Sequence, residues 1–243
     1  MKVEIMHNKR TVRFSIANNQ RHDILSTIRV ICIITVFGFS VSGCVNTTVQ
    51  EVREARTGLS ADQSIVILSR KHKTRDETEN KFTDCVSEKT GTGEQSLAVM
   101  PEQEFVDHLF PWFEPRTAPL NLEDLEGIIE RPLIAERIQK IGVRYLVWIE
   151  GTTQRSDQAG SVQCTVVSGG VPACFGFLSW ESGSNYEASI WDITKGINVG
   201  KVNSEASGTS FVPAVVVPLP FIARVQAQAC NTLSEQLKTF IGA

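Results

Sequence analysis

The sequence predicts an α+β fold: a single domain over residues 62–243 in which a mixed, mainly antiparallel sheet is packed with three to five helices. Three observations predict it. Short β-rich apolar runs alternate with amphipathic helical stretches as far as residue 149. Four more β-rich runs then follow with turn signals but no helix between them, and a last amphipathic stretch closes the chain. With 42% hydrophobic and 21% charged residues in a 243-residue chain, composition excludes disordered and fibrous classes.

Residues 64–70 read as a short buried strand, and Lys71 to Asp76 as a charged loop. Residues 77–89 form an amphipathic helix with Phe82, Cys85 and Val86 inward. A second strand over 95–100 stops at Pro101, whose missing N–H suits it to open the next helix. That helix is striped by Phe105, Val106, Leu109 and Phe110, and an irregular link follows at 111–119. Asn121 is an N-cap for a helix over 122–129, with Glu123 and Asp124 in its favourable first turn. Pro132 starts a helix over 133–141 with Ile134, Ile138 and Ile141 on one side, and Gly142 ends it. Residues 143–149 are almost continuously apolar, the pattern of a central strand covered on both faces. A meander of four strands is expected at 161–167, 174–181, 185–193 and 200–207. Gly169-Gly170, Ser182-Gly183-Ser184 and Lys195-Gly196 are the turns between them. Residues 221–241 make the closing helix.

Net charge is −3, but residues 1–43 carry six Lys/Arg against two Asp/Glu, leaving −7 on the rest. So acidic a body argues against nucleic acid as a partner. The basic stretch runs into a short apolar segment at 30–41 and then small residues, the layout of a secretory signal over 1–43. A permanent span needs about 20 apolar residues, more than this segment has. The tetrapeptide Val41-Ser42-Gly43-Cys44 resembles the lipobox of bacterial lipoproteins. That resemblance implies cleavage between Gly43 and Cys44 and anchoring to a lipid bilayer through acyl chains on Cys44, each buried methylene adding about 0.8 kcal/mol. By the same resemblance, Val45-Asn46-Thr47 lacks the second-position Asp of inner-membrane retention. This implies the periplasmic face of the outer membrane in a Gram-negative host. Residues 44–61, polar and small, are expected to be a flexible tether.

Beyond Cys44 the cysteines are Cys85, Cys164, Cys174 and Cys230, an even number in an exported body. Cys164 and Cys174 flank a Gly-Gly turn between two strand ends, which places them opposite each other. Cys85 and Cys230 face the core from two helices, either as a second bridge or as two buried thiols. No C-x-x-C occurs and only His72 and His108 follow the leader, so no metal is expected, and no cofactor motif is present.

Gly142-Val-Arg-Tyr-Leu-Val-Trp-Ile-Glu-Gly151 resembles a strand of the curli-secretion lipoprotein family, and the amino-terminal domain of the Tol-Pal periplasmic protein has a similar one. Glu187-Ala-Ser-Ile-Trp-Asp-Ile-Thr-Lys-Gly196 resembles the strand and turn of the same families. There Asp192 would accept from turn backbone donors while Gly196 takes the left-handed position. The resemblance implies a non-catalytic role in envelope assembly or secretion. The chain departs from the pore-forming members in having no clear pair of alternating membrane-spanning hairpins.

Two segments are candidate contact surfaces. Arg70, Lys71, Lys73 and Arg75 form the one dense basic cluster, suited to an acidic partner or phosphate head groups, or simply solvated beside Asp76, Glu77 and Glu79. Residues 211–222, including Val215, Val217, Leu219 and Phe221, are apolar throughout, with Pro218 and Pro220 opposing a central strand. Exposed, they would be a membrane-dipping or partner-binding patch; buried, a crossover under the sheet feeding the last helix. Catalysis has little behind it: no Gly-x-Ser-x-Gly elbow, no His in a catalytic setting, and no phosphate loop, since Gly91-Thr-Gly93 lacks the lysine. The expected function is a membrane-anchored, non-catalytic envelope lipoprotein for assembly, transport or stabilisation of a complex, with an envelope protein as partner. The alternative is a module binding a small ligand, glycan or lipid, with Trp148, Trp180 and Trp191 as stacking surfaces rather than core. A hydrolase is a distant third.

Overall fold

The structure, a computed structural model, describes residues 44–69, 78–114 and 116–242. Its strands are β1 (Val45–Arg53), β2 (Ser64–Ser69), β3 (Val99–Met100), β4 (Val143–Val167), β5 (Val171–Asp192) and β6 (Ile197–Pro218). Its helices are α1 (Asn80–Thr90), α2 (Glu102–His108), α3 (Leu122–Ile129), α4 (Pro132–Lys140) and α5 (Val225–Gly242). The six strands make one sheet in the order β1-β6-β5-β4-β2-β3. β2 runs parallel to β3 and β4, and the other pairs are antiparallel. This is a mixed α+β sheet in one compact unit, Gly43–Ala243.

Alternation along β4 shows how the sheet divides two cores. Tyr145, Val147 and Ile149 face α1 and α5, joining Phe82, Val86, Leu233 and Leu237. Leu146 and Trp148 face α2, α3 and α4, joining Phe105, Leu125, Ile129 and Ile138. Both faces of this stretch are therefore buried, and each large side chain so removed from water contributes roughly 1.5–3 kcal/mol. The start of α3 is set locally: the Asn121 side chain accepts from the Asp124 backbone N–H at 2.8 Å. Pro132 opens α4, where no N–H partner is needed.

Two expectations are corrected and one open alternative is decided. Residues 45–53 of the expected tether form an edge strand, pairing Val45 with Gly208 and Arg53 with Gly200. The reason is a period of two: Val45 and Val49 turn to the core while Asn46, Thr48 and Gln50 turn away, which overall polarity conceals. The four short meander strands are parts of longer ones. Ser182-Gly183-Ser184 lies within β5, where pairing to Arg155 on one side and Gly208 on the other overrides the local turn preference. Finally, residues 211–218 are not a buried crossover. They continue β6, and Val215 is 81% and Val217 61% exposed. Beyond Gly208, where β1 begins, β6 is an edge, and an edge tolerates Pro213 and Pro218. Residues 219–222 fold back on it, Phe211 and Phe221 exchanging backbone hydrogen bonds of 2.9 and 2.8 Å, so α5 starts only at Val225.

The outer parts of β4, β5 and β6 consequently form a three-stranded arm that no described helix covers. From Gln154 to Val167, every residue of β4 except Val162 is exposed. Gly151 marks the transition: at φ 136° it occupies backbone space open to glycine, and a Cβ there would meet the Asn185 carbonyl oxygen across the ladder.

Candidate functional site

Cys44 is exposed, carries a free thiol and directly precedes β1. Antiparallel register runs β1 backward along β6, so Cys44 emerges at the level where β6 leaves the body and enters the arm. The other four described cysteines are paired. Cys85–Cys230 joins α1 to α5 inside the first core, and Cys164–Cys174 ties β4 to β5 in the arm. The basic cluster Arg70, Lys71, Lys73 and Arg75 lies outside the described residues. Of the apolar segment, Val215, Val217, Leu219 and Phe221 sit at the arm.

The tryptophans are not gathered as stacking surfaces. Trp148 and Trp191 are 2% and 6% exposed within the second core, and Trp180 stacks under the Arg155 guanidinium at 4.7 Å. Trp148 does touch a cavity of about 530 Å³ at the carboxyl end of β2, shared with Leu68, Ser69, Val106 and Phe113. Among the described residues its lining has carboxylates, Glu114 among them, but no His, Cys or Lys to pair with a nucleophile. A second, open hollow of about 460 Å³ lies on the polar side of the sheet against Asn46, Thr48, Thr152, Gln154, Asn185 and Glu205. Nearby on that side Lys201 donates to Glu187 at 2.8 Å, and this hydrogen bond holds the ammonium above its ordinary pKa. Among the described residues no cluster of three or more His, Cys, Asp or Glu is placed to hold a metal ion. No described helix is long and apolar enough to cross a membrane.

Two buried polar networks organise the body. Asp192, 0% exposed, accepts backbone N–H bonds from Thr194 at 3.0 Å and Lys195 at 3.1 Å. Its other oxygen meets Arg144 at 3.3 Å and the Lys195 ammonium at 3.5 Å, and Gly196 takes a φ of 66° to complete the turn. Asp192 is thereby a turn-former with its charge fully engaged. The second network escapes sequence reading. Tyr186 donates to Glu79 at 2.7 Å and accepts from Gln226 at 3.3 Å and Thr153 at 2.7 Å, while the Thr153 N–H reaches the other Glu79 oxygen at 3.1 Å. A tyrosine in register with Ala188 and Ile190 on a core face is its only sequence signal, because a buried phenol needs a partner.

Burial pushes the Tyr186 phenol well above its ordinary range. The neutral form is favoured in the fold, so stability is intact below about pH 10 and is lost as pH rises through the folded pKa. Chemical denaturation between neutral pH and pH 11 should show this decline, and Tyr186→Phe should make it shallower. An equal slope in the variant would show that this phenol is not the group responsible.

No protein-family model matches the chain, and no curated protein matches it. Among solved structures it is similar to a single-substitution variant of the PelC dodecamer from Paraburkholderia phytofirmans, at TM-score 0.37 and 10% identity over 82% of this chain and 100% of that one. It is also similar to the PelC dodecamer of the same organism in another crystal form, at TM-score 0.34 and 11% identity over 82% and 99%. Likenesses of that degree assign neither family nor activity to this chain.

Proposed function

We propose that the protein is a non-catalytic lipoprotein of a bacterial envelope, moored through acyl chains on Cys44 and serving the assembly, transport or stabilisation of an envelope complex. The observation that carries this reading is Cys44 itself. It ends the run Val41-Ser42-Gly43-Cys44 behind an apolar segment, and it stands exposed with a free thiol where the folded body starts. The two disulfides support the same address, since such bridges persist in oxidising compartments. Palmitate labelling of wild type and Cys44→Ala, followed by membrane fractionation, tests it. Label and sedimentation with membranes are expected for wild type, and both should vanish in the variant. An unlabelled, freely soluble wild type overturns the proposal.

The second reading, a small-ligand module, is favoured by the cavity that Trp148 and Phe113 line. A saturable rise in melting temperature with glycans or lipids, abolished by Val106→Trp, would support it over the first.

A further inference from the structure

We infer that the three-stranded arm is a membrane-contacting element that lies in the interfacial layer of a bilayer; placing that bilayer beside it rests on the acylation of Cys44 proposed above. Four observations carry the inference. Ten of the fifteen large hydrophobic side chains exposed among the described residues belong to the arm and its fold-back. Phe175 and Phe177 are half-exposed on one strand, and Val215 and Val217 are more so on the next. Isolated apolar residues on a surface need no explanation, but a patch of this extent does.

Charge gives the second observation. In a chain that is 21% Asp, Glu, Lys and Arg, none of these nor His occurs from Gln158 to Trp180 or from Ala206 to Ala223. Arg155, Asp157, Glu181 and Glu205 stop where the arm joins the body. A protein partner of the usual kind would be met by a polar rim around an apolar centre. An arm whose outer part, beyond Asp157 and Glu181, carries no charge on any of its three strands fits a medium that penalises every charge, which is lipid.

The third observation is direction. Cys44 leaves the sheet opposite the start of the arm and points the way the arm runs. Since β1 begins at the next residue, no slack lies between an acyl chain on Cys44 and the sheet. Residues Thr209 to Pro218 of β6 extend from that level for about 30 Å at roughly 3.3 Å per residue. A bilayer holding Cys44 would therefore be within the arm's reach on that side.

The fourth observation sets the depth. The outer edge of β4 beyond Ile149 has no strand partner among the described residues. In hydrocarbon each of its unpaired N–H and C=O groups would be costly, whereas head groups and water satisfy them. The arm therefore lies at the interface with its apolar faces dipping among the acyl chains, and does not cross.

The test uses the full, processed protein from its producing host, reconstituted in phosphatidylethanolamine–phosphatidylglycerol vesicles doped with a phosphatidylcholine bearing an acyl-chain diazirine. After irradiation, adducts should be several-fold denser on peptides covering 171–180 and 211–219 than on α3 and α4. In Phe177→Asp/Val215→Asp they should be lost from the arm. Both positions are exposed, so that variant should keep the wild-type circular dichroism and melting temperature. Mass analysis of the Cys44 peptide separates the two readings. An acylated Cys44 with no arm adducts overturns the inference and leaves the lipoprotein proposal standing. Arm adducts on a protein with unmodified Cys44 support membrane contact and overturn the lipoprotein proposal. Arm-to-arm protein crosslinks replacing lipid adducts overturn the inference in favour of a second copy.

Discussion

Replacing Cys85 and Cys230 together with alanine lowers the unfolding free energy by about 4–5 kcal/mol in non-reducing urea titrations. The bridge closes 145 residues, and the chain-entropy relation puts such a loop near 5 kcal/mol. The Cys164–Cys174 bridge closes only 10, which the same relation puts near 3 kcal/mol. Location widens the contrast. The first bridge fastens α1 to α5 in a core where Cys230 is 1% exposed, while the second staples an arm that no described helix covers. Loss of the arm bridge should thus appear first as faster proteolysis near Gly169-Gly170, with the body's transition little moved. Wild type in reductant should reproduce both variants combined. A body variant within about 1 kcal/mol of wild type would show that α1 and α5 hold together through apolar contacts alone.

Asp192→Ala destabilises by about 3 kcal/mol, measured the same way, and Asp192→Asn by less. Alanine strands the two backbone donors of Thr194 and Lys195 and leaves Arg144, partly buried, beside an emptied position. Removing one member of a buried ion pair typically costs about 3–5 kcal/mol, and the partial exposure of Arg144 and Lys195 places this one at the low end. Asparagine keeps one acceptor for the turn donors and loses mainly the ionic contribution. If alanine and asparagine prove equal, the turn bonds contribute little and the ion pair is the whole effect.

The fold class and the helices were legible because their signals are local. Asn121 and Pro132 mark helix starts by chemistry that acts within one turn, and the apolar stripes of 122–129 and 133–141 are complete in sequence. Strand lengths were not legible, because what keeps Gly183 extended is a partner on each side, far away in the chain. The fate of 211–222 turned on the same missing knowledge: Pro218 and Pro220 oppose a central strand, but only the place where β1 stops reveals an edge. Of the candidate contact residues, Val215, Val217, Leu219 and Phe221 came together with residues of β5 that composition had not singled out, notably Phe175 and Phe177. The Glu79–Tyr186 pairing joins residues 107 apart, with no spacing rule to announce it.

The pairing of β1 with β6 has a consequence for biogenesis. The earliest described strand finds its neighbour only in the last quarter of the polypeptide, and α1 likewise waits for α5. A ribosome must release nearly everything before either union is possible, so the nascent form lacks its finished sheet. Such long-range closure slows folding, because the entropy of closing the chain is paid before the distant strands reward it.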